Sequence, residues 1–185
     1  MRIIGIDPGS VLCGYGVIDS QGNTLKVVEY GTIEVRKKAE DITLRMKEIY
    51  ERISNVIHRT KPDFAAIETT FYAKNAQSLI KLTMARSAAI LAIVNTGIFI
   101  SEYSAKDIKR SVTGKGAASK EQVRFMTKTL LNISENTEHF DTTDALAIAI
   151  CHSNHCNTSY SKSFGKKSTS WEQFFKNNPD KIVKL

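Results

Sequence analysis

Short apolar segments separated by turn-forming residues occupy the first part of the chain. Arg2–Asp7 (RIIGID) is rich in isoleucine and ends at a Pro-Gly-Ser turn, which predicts a buried strand. Residues 14–19 alternate between apolar and polar positions, and a Ser-Gln-Gly-Asn turn separates them from residues 24–30. These two segments therefore predict a hairpin, and residues 31–35 predict a third strand of the same antiparallel meander.

The spacing of apolar residues becomes helical after residue 41. Six of them fall on one stripe with a period of about 3.6 residues, which predicts an amphipathic helix: Ile42, Met46, Ile49, Ile53, Val56 and Ile57. Asp41 is the candidate N-cap, and Pro62 ends the helix because the residue before a proline avoids the helical region. Phe64–Glu68 (FAAIE) then predicts a short strand, which a long helix over residues 75–95 and a strand over residues 98–103 follow.

Three further helices are predicted in the next part of the chain. The first covers residues 105–112 and precedes a glycine-rich loop. The second begins at Ser119, which forms a capping-box pattern with Gln122 three residues later, and ends near residue 131. The third is an apolar helix over residues 142–151. A hairpin meander that leads into strand–helix–strand units predicts an α/β fold with a mixed sheet, antiparallel on one side and parallel on the other, and helices on both faces.

Charge is distributed unevenly along the 185 residues, whose formal net charge is +7. Residues 153–185 contain six lysines and two acidic residues, so they carry +4, whereas the 20 basic and 17 acidic residues before them give +3. The polar composition after residue 152 is typical of a linker or disordered segment. We therefore predict one domain over residues 1–152 and a basic, flexible tail over residues 153–185. A positive net charge favours a polyanionic partner such as nucleic acid. The alternative is an ordinary basic soluble protein with no such partner.

Several classes of protein are excluded by the same composition. The three cysteines are odd in number and far apart, which argues against a disulfide framework and suits a reducing cytoplasm. Asp7 interrupts the apolar N-terminal stretch, which argues against a signal peptide. The longest apolar runs, residues 88–94 and 145–151, are much shorter than the roughly 18 residues that a bilayer span needs. A membrane protein, a small secreted protein and a disordered chain are therefore not expected.

Four carboxylates fall at the ends of predicted elements. Asp7 ends the first strand, Glu68 ends the strand after the first helix, and Asp141 and Asp144 lie three residues apart at the start of the last helix. Ligands of open α/β sheets bind outside the carboxyl ends of parallel strands, and Asp7 and Glu68 would project into the same crevice if their two strands are adjacent and parallel. Each acid also has a purely structural interpretation, as a turn starter, a solvent-exposed strand end, an N-cap or a partner of the helix dipole.

Convergence of four carboxylates requires cations to neutralise them. Mg²⁺ suits such a site because it binds a few carboxylates together with water and phosphate oxygens. Two such ions, about 3.5–4 Å apart, activate a water and stabilise the leaving oxygen of a phosphodiester. The residues thus favour two Mg²⁺ ions per subunit, with Mn²⁺ as a substitute, and metal-dependent phosphodiester hydrolysis.

Separated motifs along residues 1–152 resemble the RuvC family, the bacterial crossover-junction endonucleases. The first is GIDPGS followed by GYGVI, from Gly5 to Ile18. The second is Ile67-Glu68 with Phe71 and the AKNA segment after it. Lys109, Gly114 and the SKEQV segment match the next stretch, and Asp141-x-x-Asp144 with the following ALAIA matches the last motif. Their recurrence in order makes the resemblance specific.

The resemblance implies an RNase H-like fold with a mixed five-stranded sheet. It also implies a homodimer that cuts four-way (Holliday) DNA junctions by paired symmetric nicks in recombination and repair. It implies 5′-phosphate and 3′-hydroxyl ends, and a branch-migration motor, the RuvA–RuvB complex, as a partner. It assigns the catalytic and metal-binding roles to Asp7, Glu68, Asp141 and Asp144.

The resemblance also gives DNA-contacting roles to individual residues. It places a junction-contacting aromatic at Phe71 and two functionally important lysines at Lys109 and Lys120. An exposed aromatic ring stacks on an unpaired base for about 1–3 kcal/mol, whereas a core phenylalanine is the alternative for Phe71. Lys120 falls in the first turn of a helix, where free amides favour phosphate. Lys74 is a further candidate for phosphate contacts, as are Lys81 and Arg86, although surface solvation explains such residues equally.

Two other features suggest ligands or partners. Residues 151–156 (CHSNHC) contain two cysteines and two histidines, which suggests zinc, but the spacing is tight and core packing is the commoner role of such a cysteine. The helix over residues 75–95 has a wider apolar surface than one core contact requires. Its second face fits a partner subunit in a two-fold dimer, or complete burial in a monomer.

Two alternative functions share parts of this pattern. An Ile-Asp-x-Gly opening also occurs in sugar-kinase and actin-like ATPases, but those folds need a second similar domain and further phosphate-binding loops. A catalytically silent junction-binding scaffold is the other alternative, and the presence of all four acids argues against it.

Overall fold

The computed structural model describes residues 1–35, 41–69, 75–133 and 140–165, with the side chains of residues 140–141 and 158–165 left undescribed. Five strands and five helices are present in this part of the chain. In order they are β1 (Arg2–Asp7), β2 (Leu12–Gln21), β3 (Thr24–Glu34), α1 (Ile42–Thr60), β4 (Phe64–Glu68), α2 (Ala76–Val94), β5 (Ile100–Tyr103), α3 (Ala105–Thr113), α4 (Lys120–Leu131) and α5 (Phe140–Gly165).

The strands form one mixed sheet in the order β3-β2-β1-β4-β5. The β1–β2 and β2–β3 pairs are antiparallel, and the β1–β4 and β4–β5 pairs are parallel. This arrangement follows from the connections, since tight turns join the first three strands whereas α1 and α2 cross over to β4 and β5. The predicted α/β fold with a mixed five-stranded sheet is confirmed.

The third strand differs from its prediction. Residues 24–30 and 31–35 were predicted as two strands, whereas Thr24–Glu34 is one strand that pairs with β2 along its length. Gly31 does not break it, because the ring of Tyr15 lies over this position: a Cβ on Gly31 would be 2.8 Å from the Tyr15 hydroxyl. The glycine therefore leaves room for an aromatic ring of the neighbouring strand. From the sequence alone, a glycine at this position looks like the boundary between two strands.

Side chains of β1 alternate between two hydrophobic layers. Ile4 and Ile6 pack with α1 and α2 on one face of the sheet, where Ile49 and Ala89 are also buried. Ile3 faces the other layer, which α3, α4 and α5 form around residues such as Leu146. Helices thus cover both faces, as predicted, and the buried strand β1 is apolar on both sides up to its last residue.

Caps fix the ends of the helices that surround the sheet. The Asp41 side chain accepts a hydrogen bond from the Thr43 amide, and Lys61 ends α1 in a left-handed conformation just before Pro62. The predicted capping box of α4 is confirmed, because the Ser119 hydroxyl and the Gln122 side chain each bond to the other residue's backbone amide.

The last helix continues well beyond its predicted end. The sequence analysis ended it at residue 151 and made residues 153–185 an irregular tail, but α5 extends to Gly165. The polar residues that follow contain no proline, and extending an existing helix costs far less than starting one. The chain divides into two compact units, Met1–Asn154 and His155–Leu185. The described part of the second unit is the helical segment 155–165. The proposed domain boundary at residue 152 stays a prediction.

Helix α2 is long and apolar enough to cross a membrane by the criteria of length and composition. Its buried residues are mostly alanines, and they belong to the hydrophobic layer shared with α1. Ile80, Leu91 and Val94 on the same helix have more than half of their surface exposed. The apolar surface of α2 is therefore only partly used by the core, in line with the wide apolar face that its sequence predicted.

Candidate active site

Two carboxylates stand side by side where the parallel strands end. Ile6 of β1 pairs with Ile67 of β4, so Asp7 and Glu68 are the next residues along two neighbouring strands. Both side chains follow the alternation of their strands onto the face that α5 covers. Each residue is partly buried. The expected meeting of these strand ends at one edge of the sheet is therefore observed.

Helix α5 brings a third carboxylate to this edge because its first turns lie unusually close to β1. A Cβ added to Gly5 would be 2.1 Å from the Ala145 carbonyl oxygen and 2.7 Å from the Ala149 amide nitrogen. Only glycine in the strand, facing alanines in the helix, permits this approach. Asp144 immediately precedes Ala145, so the close packing of helix on strand delivers its carboxylate to the end of β1.

A cavity of about 160 Å³ collects the predicted polar residues of the site. Asp7, Glu68, Asp144, Lys109 and Lys120 all line it. The rest of the lining is apolar and comes from α3, α4 and α5: Ala105, Ile108, Val123 and Ala147. The charged groups thus stand against low-dielectric walls, which strengthens electrostatic interactions between them.

The apolar wall is the part of the site that sequence reasoning missed. Ile108 and Val123 are almost completely buried, and both belong to the second hydrophobic layer. In the sequence, both residues belong to the apolar stripe of their helix. That stripe does not distinguish a residue of the core from a residue that lines a cavity. The two lysines are held by the same helices, so α3 and α4 supply both the wall and the positive charge of the cavity.

The negative charges of the carboxylates in the cavity are only partly balanced by the two lysines. Burial raises the pKa of Glu68 above its ordinary value, and the negative charge of Asp144 raises it further. Lys120 and Lys109 act in the opposite direction without cancelling these effects. The Lys120 Nζ lies 3.9 Å from Oδ2 of Asp144, and three-quarters of the lysine side chain is exposed. More positive charge is therefore needed to stabilise the fully ionised site.

The donor set suits a hard divalent cation. Carboxylate oxygens are the preferred protein ligands of Mg²⁺, which usually takes only one or two of them and keeps several waters. Within the described part of the chain, no three His, Cys, Asp or Glu side chains are arranged to hold one metal ion together. The charge and the oxygen ligands of the cavity therefore suit a cation that keeps some of its water. The described residues do not form a closed cage in which protein atoms supply every ligand.

The remaining predicted site residues are only partly described. Phe71 and Lys74 lie outside the described residues. Asp141 lies in the first turn of α5, three residues before Asp144, but its side chain is not described. Arg86, grouped by sequence with phosphate-binding surface residues, has a side chain that is only 18% exposed and forms an ion pair with Glu102. The guanidinium of Arg86 is therefore engaged with Glu102, and a phosphate contact of Arg86 stays a prediction.

The cysteine–histidine segment has a structural environment in its first half. Cys151 is fully buried, and burial raises the pKa of its thiol to about 11. His152 is 5% exposed, its Nδ1 lies 2.9 Å from the Tyr103 hydroxyl, and its ring packs against Phe64. These two residues are therefore part of the core. The alternative that the segment binds zinc gains no support from the described geometry.

A larger groove of about 860 Å³ lies on the other face of the sheet between α1 and α2. Tyr50, Asn55, His58 and Asn95 contribute to its lining, and Glu51 is its single carboxylate. Size alone would favour this groove as a ligand site. We identify the smaller cavity as the candidate active site because it gathers three acids and two lysines from five different elements.

A mixed five-stranded sheet of this topology, with carboxylates at the ends of β1 and β4 and at the start of the last core helix, defines an RNase H-like fold of the nuclease class. The family model described as crossover junction endodeoxyribonuclease RuvC matches residues 3–152. The chain belongs to the RuvC family, and this membership implies dependence on a divalent metal ion.

Relatives and solved structures agree with this assignment. The RuvC of Geobacter sulfurreducens is 49% identical over 154 residues, which cover 83% of this chain and 93% of the relative. The RuvC of Chloroherpeton thalassium is 41% identical over 187 residues, and the match covers both chains completely. Thermus thermophilus RuvC in complex with a Holliday junction substrate is similar with a TM-score of 0.81 and 28% identity, over 86% of this chain and 96% of that one. The yeast mitochondrial Holliday junction resolvase shares the fold, with a TM-score of 0.65 at 13% identity over 88% of this chain and 82% of that one.

Proposed function

We propose that this protein is an endonuclease that resolves four-way DNA junctions by paired symmetric nicks, in recombination and DNA repair. The observation that carries the proposal is the cavity in which Asp7, Glu68 and Asp144 face Lys109 and Lys120, in a chain of the RuvC family. Hydrolysis at this site would leave 5′-phosphate and 3′-hydroxyl ends. The crossover junction activity of the relatives named above supports the same substrate class.

Asp7, Glu68, Asp141 and Asp144 would hold two Mg²⁺ ions, and Mn²⁺ would substitute for them. When bound, the two ions supply an activated water and stabilisation of the leaving oxygen in an in-line displacement. Glu68 must lose its proton before it binds a metal ion, because only the ionised carboxylate is a good ligand. Lys109 and Lys120 favour the ionised form of Glu68 but do not outweigh burial and Asp144, so bound cations would complete the stabilisation of the ionised acids.

Lys109 and Lys120 would bind the phosphate that is cut. Lys120 lies in the first turn of α4, where backbone amides already favour anions. Its contact with Asp144 is long and largely exposed, so little free energy is lost when it moves to a phosphate. We assign Phe71 to stacking on an unpaired base near the crossover and Lys74 to the DNA backbone, following the family motif that contains both.

A two-fold dimer would place two such sites on one junction. The exposed apolar residues Ile80, Leu91 and Val94 lie at intervals of 11 and three residues along α2, which puts them on one side of the helix. Exposed apolar residues grouped on one side of a helix are a feature of interaction sites. We propose that a second copy of the chain packs on this side of α2, so that the two sites are related by two-fold symmetry as the junction strands are.

The other assignments rest on membership of the family. We propose the RuvA–RuvB branch-migration motor as a partner, the cytoplasm as the compartment, and residues 1–152 as the nuclease domain. The basic residues between 153 and 185 would add affinity for DNA or for the motor.

The decisive experiment compares a labelled four-way junction with a linear duplex of the same sequence, each with the protein and Mg²⁺ and with EDTA as the control. We expect paired nicks on the junction alone, at symmetric positions, and only when metal is present. The variant Asp7→Asn should bind the junction and fail to cut it. Cleavage by this variant at the normal rate contradicts the assignment of Asp7, whereas binding of the wild-type protein without cleavage, on a mobile junction that samples many sequences, supports the scaffold alternative.

A further inference from the structure

Arg86 of α2 lies against the strand end that carries Glu68. Its Nη2 is 2.7 Å from Oε2 of Glu102 in β5, and its Nε donates a long hydrogen bond of 3.4 Å to the backbone carbonyl of Glu68. The arginine side chain is 18% exposed, and the Glu102 side chain is 49% exposed. One guanidinium therefore contacts the ends of two neighbouring strands, next to the cavity but outside it.

The backbone that follows Glu68 is held from a second side. The amide of Thr69 donates to the Tyr103 carbonyl at 2.9 Å, and the Thr69 hydroxyl donates to the same oxygen at 3.2 Å. Thr69 and Arg86 thus fix the last peptide of β4 from β5 and from α2. An end of a strand without such contacts frays readily.

A fixed backbone matters here because the Glu68 side chain is in an unfavourable environment. Its carboxylate stands beside apolar walls and close enough to Asp144 to be repelled by its charge. Both effects favour conformations in which Glu68 turns away from the cavity toward solvent. Contacts that restrain the Glu68 peptide therefore help to fix the geometry of the site before a metal ion binds.

We propose that Arg86 is a positioning residue, which holds the end of β4 so that Glu68 points into the cavity and binds metal. This inference rests on the function proposed above. Arg86 touches neither substrate nor metal and acts only through the Glu68 backbone. The half-exposed ion pair with Glu102 contributes little to global stability, as is usual for pairs in contact with water. Its main effect is to orient the guanidinium toward the Glu68 carbonyl.

Arginine suits this role for a geometric reason. Its planar guanidinium presents several N–H donors in a rigid fork, so that one side chain bonds to a carboxylate and a carbonyl together. Lysine offers a single ammonium centre on a flexible stem, and glutamine offers no charge. The three residues should therefore rank Arg above Lys above Gln in how well they restrain Glu68.

The test compares four variants with the wild-type protein: Arg86→Gln, Arg86→Lys, Glu102→Gln, and the exchange Arg86→Glu with Glu102→Arg. Three quantities are measured for each. They are the Mg²⁺ concentration for half-maximal junction cleavage, the rise in Tm on adding Mn²⁺ without DNA, and junction affinity in EDTA. Loss of an outer-sphere partner typically weakens metal binding about 10–100-fold, so we expect an increase of about tenfold or more in half-saturating Mg²⁺ for Arg86→Gln.

The expected pattern separates positioning from a merely structural role. The metal-free Tm and the junction affinity in EDTA should change little in Arg86→Gln, while the Mn²⁺-induced rise in Tm shrinks. Arg86→Lys should fall between wild type and Arg86→Gln, and Glu102→Gln should show a milder defect. The exchanged pair should restore the ion pair without restoring metal affinity, because it puts a carboxylate beside the Glu68 carbonyl.

Three results would overturn the proposal. The first is unchanged metal affinity in Arg86→Gln, and the second is recovery of metal affinity in the exchanged pair. The third is a loss of metal-free Tm in Arg86→Gln and Glu102→Gln with no change in the Mn²⁺ response, which would make the contact purely structural. Failure of the wild-type protein to cut junctions would instead contradict the proposed function, since the Mn²⁺ response of Tm is measured without DNA.

Discussion

Gly5 offers a direct test of how the fold builds the site. It is a strand position at which the backbone of α5 leaves no room for a Cβ atom. Replacement by alanine would put a Cβ 2.1 Å from the Ala145 carbonyl oxygen, whereas ordinary contact begins at 3.4 Å. The atoms in the way belong to the helix backbone, so rotation of a side chain cannot relieve the clash. The helix, the strand or both must separate by about 1.3 Å, the difference between these two distances.

This displacement has two consequences of predictable size. Overpacking in a well-packed core costs about 1–3 kcal/mol, so Gly5→Ala should lower the free energy of unfolding by at least that amount. Asp144 precedes Ala145 and would move away from Asp7 with the helix. A misplacement of about 1 Å in a catalytic geometry costs on the order of 100-fold in rate, so the loss of cleavage should exceed what the loss of stability explains.

The assay measures junction cleavage well below the Tm of the variant, where Gly5→Ala is fully folded by circular dichroism. Gly116→Ala is the matched control. Its Cβ would meet Cγ of Lys106 at 2.9 Å, but a flexible, exposed side chain is able to move away. We expect near-normal Tm and cleavage for this control. A Gly5→Ala protein with wild-type Tm and wild-type cleavage would refute the argument that close packing of α5 on β1 positions Asp144.

Three further predictions concern the charge of Glu68, the exposed side of α2 and a hydrogen bond outside the cavity. Because burial and Asp144 raise the pKa of Glu68, its ionised form destabilises the metal-free protein once pH exceeds the ordinary value of 4.5. Glu68→Gln should therefore have a higher Tm than wild type at pH 7 without metal, an advantage that disappears below about pH 4 in parallel thermal melts; a lower Tm at pH 7 would contradict it. Leu91→Glu should turn a dimer into a monomer by analytical ultracentrifugation at unchanged helicity, and an unchanged sedimentation coefficient would exclude this side of α2 as the interface. Tyr15→Phe removes a 2.9 Å hydrogen bond to Glu29 on the face of the sheet opposite the cavity, so it should cost about 1 kcal/mol in urea unfolding and leave cleavage unaffected.

Local patterns in the sequence predicted most of the elements that position the site. The stripe of apolar residues in α1, the capping box of α4 and the apolar strands β1 and β4 each depend on neighbours within a few residues. For this reason the strand ends at Asp7 and Glu68 were correctly placed. The local patterns did not predict that these two strands are neighbours; the parallel β1–β4 pair of the structure brings their carboxyl ends together.

The features that escaped prediction depend on contacts between distant segments. The sequence analysis divided residues 24–35 into two strands at Gly31, yet Gly31 pairs with Tyr15 within one continuous strand. Arg86 has the position of a surface residue on its helix, yet Glu102 and the Glu68 carbonyl draw it against the sheet. The length of α5 was missed because polar residues 153–165 have no apolar stripe, and that signal is not needed once a helix has been started.

The site and the core impose opposite demands on the same few residues. Small side chains on β1 and α5 bring Asp144 to the strand ends, but this closeness is also what crowds it against Glu68 and raises the pKa of that group. A protein selected for stability alone would replace one of these acids with a neutral residue. Lys109 and Lys120 compensate only in part, and the exposed lysine lies 3.9 Å from its carboxylate, beyond an ordinary charged hydrogen bond. The fold therefore keeps its negative charges close together and incompletely neutralised, and this leaves the cavity with the affinity for added cations that phosphodiester cleavage requires.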